Sequence, residues 1–148
     1  VSDAVEEAVT AANAEFYAAF EACDIDRMEA VWDTADDVRC IHPGWPLLSG
    51  RSRVMRSWSV LMANTTYIQF FLTRIDVVVA GDLAVVTCEE NILTGIDDPD
   101  HGLGGSQRVV STNVFRRRAD GWRLWVHHGS PVLSPVGESG DTGIGETG

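Results

Sequence analysis

Near Tyr67 the chain changes its apolar period, and that change limits the fold more than any other feature. Before it, apolar residues recur at helical spacing. After it come long runs rich in β-branched and aromatic residues, separated by turn signals. Tyr67 to Val79, Leu83 to Leu93, Gln107 to Arg117 and Trp122 to Ser130 read as four strands. Ala80-Gly81-Asp82 and Asp120-Gly121 are tight turns, so the strands they join are antiparallel hairpins. Thr94 to Gly105, with four glycines, a proline and three aspartates, reads as a loop.

The first half supplies the second layer. Val5, Ala8, Ala12, Phe16, Ala19 and Cys23 mark the apolar stripe of a first helix, and Asp3 with Glu6 gives it a capping-box-like start. A shorter helix opens at Asp26 and presents Met28, Val31 and Trp32. The short strand Val38 to Ile41 follows. Val54, Trp58, Leu61 and Met62 then mark a third helix, with Ser49 or Ser52 as its expected cap. Helices segregated from a run of hairpins define an α+β domain, a curved antiparallel sheet wrapped around three N-terminal helices. That domain is expected over residues 1–132, with the Gly/Ser/Pro-rich residues 133–148 as a flexible tail.

Composition excludes several classes of partner. The formal charge of −11 argues against nucleic acid and anionic membrane surfaces. No apolar run approaches the ~20 residues that span a bilayer. Three cysteines, without metal-type spacing and without a secretion signal, read as reduced thiols, and a cytoplasmic location is expected. No cofactor or metal motif is present, and phosphate-loop, dinucleotide and nucleophile-elbow patterns are missing. Asp97 to Gly102 has acidic spacing that hints at calcium but lacks the glutamate an EF-hand needs, and reads better as a loop.

His42-Pro43-Gly44-Trp45 points to a small-molecule site. Proline fixes its own backbone and drives His42 towards an extended conformation, while Gly44 permits a sharp bend. An imidazole is thereby held at a strand end beside an indole, and His42 is the leading general acid/base candidate. The competing reading is a histidine that caps the turn. Arg51 and Arg53 fit an anionic ligand less well than a solvated helix surface.

Further local features are Phe16 to Phe20 followed by Asp24-Ile25, Gly50-Arg51, Gly81-Asp82 with Val86-Thr87-Cys88-Glu89, Asn113-Val114-Phe115, and Gly121-Trp122-Arg123 leading to His127-His128-Gly129-Ser130. With the element order, these resemble the nuclear transport factor 2-like superfamily, in particular its SnoaL-like and ketosteroid-isomerase-like members. The resemblance implies a cone-shaped, cystatin-like fold whose mouth takes a small hydrophobic molecule, and a homodimer. It leaves the activity open, because such folds carry isomerases, dehydratases, cyclases, hydrolases and members without chemistry. The tyrosine, aspartate base and protonated aspartate of the isomerases fall at Phe16, His42 and Asn113, which argues against steroid isomerisation. Tyr17 is adjacent to Phe16 but on another face of the helix.

The resemblance also turns the Thr87, Glu89 and Asn91 face of its strand into the cone, leaving Val86, Cys88, Glu90 and Ile92 on the other face. Glu89 is then expected to orient His42 or act as a base, with a solvated edge carboxylate as the competing reading. Ser111 and Asn113 share parity with Val109 and Phe115, with Asn113 placed to stabilise an oxyanion. Leu124, Val126 and His128 share an apolar face, so His128 is expected inside and His127 outside; a one-residue slip would exchange them. The two cannot easily bind one metal ion. Phe16, Phe20, Trp45 and Trp58 are expected as walls of the pocket. Two functions remain: acid/base chemistry on a small hydrophobic substrate, or a non-catalytic ligand-binding or dimerisation module.

Overall fold

A computed structural model of the chain describes residues 3–95 and 105–133. The loop expected over 94–105, apart from its ends, lies outside the described residues, together with the acidic segment 97–102 and residues 134–148 of the expected tail.

Helix α1 spans Asp3–Glu21 and buries Val9, Asn13, Phe16, Tyr17 and Ala19. Helix α2, Ile25–Val31, begins earlier than the sequence implied, because Asp24 caps it by accepting from the Arg27 N–H at 3.1 Å. Helix α3 covers Arg51–Ala63. Its first N–H is taken by neither expected serine. Gly50 turns the chain at φ 97°, and Asp36 Oδ1 accepts from the Arg51 N–H at 3.0 Å. The Arg51 guanidinium donates to the carbonyls of Glu29, Trp32 and Asp33, at 3.0, 3.2 and 2.8 Å. This half-buried arginine therefore closes the C-terminal end of α2.

The strands are β1 (Arg39–Ile41), β2 (Leu48–Ser49), β3 (Ile68–Ala80), β4 (Leu83–Thr94), β5 (Gly105–Arg118) and β6 (Gly121–Pro131). They form one mixed, curved sheet in the order β2-β1-β6-β5-β4-β3. The long strands are the antiparallel set foreseen above. Strand β2 and the parallel pairing of β1 with β6 were not legible in the sequence.

Two bulges bend the sheet around the helices. On β3 the register shifts between Thr73 and Asp76, with Arg74 at φ 53°. On β6, Leu124 pairs with Phe115 and Val126 with Val114, so Trp125 has no partner of its own. That indole is half-buried at the margin of the core, donates to the Asp37 carbonyl at 3.1 Å and is covered by Arg116 at 4.6 Å. The helices and the inner sheet face enclose a core centred on Phe16, Met28, Trp32, Trp58, Phe115 and Leu124. One end of it is fixed by Asp33. This carboxylate is 1 % exposed, receives a bidentate pair from Arg118 at 2.8 and 2.6 Å, and meets Arg116 at 2.7 Å. Hydrogen bonds from Arg118 and Arg116 hold Asp33 well below the usual carboxylate range.

Candidate functional site

The parallel register sets one side of the site. Cys40 lies opposite His127 and Ile41 opposite His128, so the turn that follows β1 runs beside the end of β6. Gly129 makes this approach possible: a Cβ there would stand 3.0 Å from Pro43 Cγ and 3.3 Å from Val109 Cγ1. Across the turn, the Trp45 N–H donates to the His42 carbonyl at 2.8 Å, with Gly44 at φ 83°. Proline followed by a left-handed glycine is the type II arrangement. His42 ends up 3 % exposed, between the rings of Trp45 and Trp58 at 4.8 and 4.7 Å.

The proton positions on His42 follow from its partner. Ser57 Oγ gives its only proton to the Val54 carbonyl at 2.6 Å, so it must accept from His42 Nε2–H at 2.9 Å. Nδ1 therefore carries the lone pair. Cys40 Sγ lies 3.6 Å from Nε2 and 3.8 Å from Nδ1, a position shared between the two. Burial lowers the His42 pKa to about 4, which keeps the ring neutral.

The bulge at Trp125 decides which neighbouring histidine enters the site. Trp122 and Leu124 face the core, and beyond the extra residue the inward parity passes to His127 and Gly129. His127 is 4 % exposed and packs on Phe16 at 4.8 Å, whereas His128 lies on the outer face. The expectation for His128 is corrected accordingly. Strand β4 requires the same correction. Ala84, Val86, Cys88 and Ile92 fill the core, and Glu90 shares their parity at 3 % exposure. Glu89, Thr87 and Asn91 face away from the cavity. Glu89 pairs with exposed Arg74, and Asn91 donates to the Phe71 carbonyl. The apolar alternation Val86, Cys88, Ile92 was the signal for the inward face, and it outweighs the register carried over by resemblance.

The inner face holds a continuous hydrogen-bond relay. Asn113 Nδ2 donates to Asn13 Oδ1 at 2.9 Å and to Tyr17 Oη at 3.1 Å. Both amide protons are thus used, and Asn113 Oδ1 accepts from His127 Nδ1–H at 2.5 Å. Tyr17 passes its own proton to Glu90 Oε2 at 2.5 Å, and Ser111 Oγ donates to the same oxygen. Every bond from His127 through Asn113 and Tyr17 to Glu90 points the same way. His127 Nε2 is left with a lone pair and no hydrogen-bond partner among the described residues. Glu90 Oε1, free of both hydroxyls, is the oxygen that can carry a proton.

Asn113 was expected to stabilise an oxyanion. Its amide protons are already committed, so it positions His127 and Tyr17 instead. Tyr17, expected on another face of the helix, is 4 % exposed and lies within the site beside Phe16. The sequence did not point to Tyr17, Glu90, Asn13 and Ser57 as site residues, and it left His127 as the alternative to His128. For Asn13 and Tyr17 the available signal was their helical spacing from Val9 and Phe16 along the α1 stripe.

Glu90, His127 and His42 open on one cavity of about 190 Å³. Phe16, Phe20, Trp45 and Trp58 line it as expected, joined by Tyr17 and Phe70. Ser111 lies behind Glu90 and is fully buried. Burial raises the Glu90 pKa and lowers that of His127 to about 3. One cavity therefore offers a carboxyl biased to hold its proton and imidazoles biased to lack theirs, the separation that acid/base chemistry needs.

A family model described as the SnoaL-like domain matches residues 9–134. Among solved structures, a proposed dehydratase from the NTF2-like family of Streptomyces avermitilis is 52% identical, with 86% of this chain and 96% of that chain covered and a TM-score of 0.79. A proposed calcium/calmodulin-dependent protein kinase type II association domain from Thiobacillus denitrificans is 35% identical, with 84% and 94% covered and a TM-score of 0.74. Among curated proteins, the F-box protein SKIP8 of Arabidopsis thaliana is 27% identical over 130 residues, 88% of this chain. The chain spans about half the length of that relative, 52%.

Proposed function

We propose that this chain, which belongs to the SnoaL-like family, is an acid/base enzyme of the dehydratase type acting on a small apolar substrate with its side chains alone. One observation carries the reading: Glu90 and His127 stand at opposite ends of one aligned relay and open on the same cavity. His127 Nε2 takes a proton from a substrate carbon, and the C–O bond at the neighbouring carbon breaks. Glu90 gives its proton to the departing hydroxyl, which leaves as water. The return of the proton from His127 to Glu90 then restores the site.

This step turns a neutral pair into an imidazolium and a carboxylate. The relay dipoles run from His127 to Glu90, so they favour the charged pair over the neutral one. Such a gain is larger in the transition state than in the ground state, which is the condition for catalysis. His42, fixed by Ser57, presents Nδ1 to hold the substrate's polar group. The description of the Streptomyces avermitilis relative as a proposed dehydratase supports elimination over the other acid/base reactions.

The test is elimination of water from small β-hydroxy ketones, followed through the absorbance of the conjugated product. Glu90→Gln and His127→Gln are each expected to lower kcat by about 10²–10⁴-fold with the fold retained by circular dichroism. Unchanged turnover in either variant removes that residue from the mechanism. A non-catalytic binding or association module is the second reading, supported by the description of the Thiobacillus denitrificans relative. It predicts ligand binding with no turnover of any substrate.

A further inference from the structure

The hydrogen-bonding capacity left over in the cavity specifies a ligand. Two acceptors have no strong donor among the described residues: His127 Nε2, because Nδ1–H is given to Asn113, and His42 Nδ1, because Nε2–H is given to Ser57 and only the weak Cys40 thiol stands near it, at 3.8 Å. The donors that remain are uncharged, a protonated Glu90 and the neutral liners Trp45, Thr94 and Gln107. Tyr17 gives its proton to Glu90, and Trp58 Nε1, which has no acceptor, is closed off by packing. Among the described residues no lysine or arginine lines the cavity, and the other polar liners, Thr94 and Gln107, are uncharged. A carboxylate or phosphate would meet Glu90 and two lone pairs with no cation to offset them.

Size narrows the class further. A dry cavity of about 150 Å³ holds a benzene molecule, and this one is about 190 Å³. Its walls are rings: Phe16, Phe20, Trp45, Trp58 and Phe70. The geometry points to an uncharged molecule built on one ring and bearing at least one hydroxyl, which gives its proton to His127 or His42. This rests on the cavity being the ligand site of the acid/base reading, and it adds the ligand class that the reading left open.

The experiment measures binding of phenol, anisole, toluene, benzoate and 2-naphthol to the full chain at pH 7 by calorimetry. Phenol is expected to bind about tenfold more tightly than toluene or anisole, the worth of one hydrogen bond to an otherwise unpaired buried acceptor. Benzoate and 2-naphthol are expected to bind more weakly than phenol. In His127→Phe and His42→Phe together, the preference for phenol over toluene falls below about twofold. Equal binding of phenol, anisole and toluene to the unaltered chain overturns the ligand class. So does tighter binding of benzoate or 2-naphthol, or binding of no probe at all. Selective phenol binding without turnover of any substrate defeats the acid/base reading and leaves this inference standing. Turnover of a β-hydroxy ketone by a chain that binds phenol no more tightly than toluene does the reverse.

Discussion

Asn113 Nδ2 donates to Tyr17 Oη at 3.1 Å, and this contact sets the direction of the protons along one side of the cavity. With its lone pair occupied, Tyr17 can only send its own proton on to Glu90. With the amide group thus oriented, Asn113 turns its oxygen to His127 and fixes that tautomer. In the acid/base reading proposed above, the choice of base and the choice of acid therefore depend on a residue that makes neither proton transfer.

Replacing Asn113 with leucine keeps the volume and removes the relay. His127 Nδ1–H and Asn13 Oδ1 lose their partners, and a cost of about 2–3 kcal/mol is expected in urea denaturation. As a positioning residue, Asn113 is also expected to act on kcat much more than on KM. Equal changes in both would assign it to substrate binding.

The pH–rate profile is expected to be displaced on its acid side. His127 is lowered to about 3 and His42 to about 4, both by burial. The bases stay neutral well below the ordinary histidine range, so the acid limb of kcat/KM should lie near pH 4. On the alkaline side it falls as Glu90, raised by burial, gives up its proton. An acid limb near 6.5 would mean that the histidines are solvated in the working enzyme.

Glu90→Gln is expected to trade activity for stability. The folded pKa of Glu90 lies above the ordinary glutamate value of 4.5, so the fold binds this proton more tightly than the unfolded chain does. That contribution is complete below about pH 4.5 and is lost as pH rises through the folded value. Glutamine keeps the acceptor for Tyr17 and Ser111 without the buried charge. The variant should match the parent at pH 4 and exceed it by a margin that grows as pH rises towards 8, by urea denaturation at both pH values.

Gly129→Ala tests the seat of the His42 turn. The added methyl meets the Pro43 ring at 3.0 Å and Val109 at 3.3 Å, within a packed interior. A loss of about 1–3 kcal/mol is expected, with a change in the fluorescence of Trp45 as the turn is pushed outward. Unaltered stability and fluorescence would show that the turn is not held by this contact.

Asp33→Asn probes the other end of the core. Arg116 and Arg118 would keep their charge and lose the carboxylate they share, a loss of about 2–4 kcal/mol in thermal or urea unfolding. Asp33 is held below its usual range, so its contribution is present above about pH 4 and disappears as pH falls towards the folded value. The variant should accordingly be less sensitive to acid than the parent.

The sequence by itself determined the layers of this protein. Helical spacing from Val9 to Phe16, the turns at Gly81 and Gly121, and the alternation of Val109, Ser111, Asn113 and Phe115 are local properties. Local chemistry is enough to specify them. His42 was legible for the same reason, since proline and glycine restrict their own backbone wherever the rest of the chain lies. Which of His127 and His128 enters the cavity was decided only by the tertiary structure. A strand alternates faithfully until one extra residue reverses every side chain beyond it, and the extra residue here is Trp125, held at the margin of the core by Asp37 and Arg116. Glu90 in place of Glu89 has a similar origin, because the inward face is settled by what β4 packs against. Tyr17 joined the site because Asn113 reaches it across 96 residues of sequence. No local pattern encodes a contact of that kind.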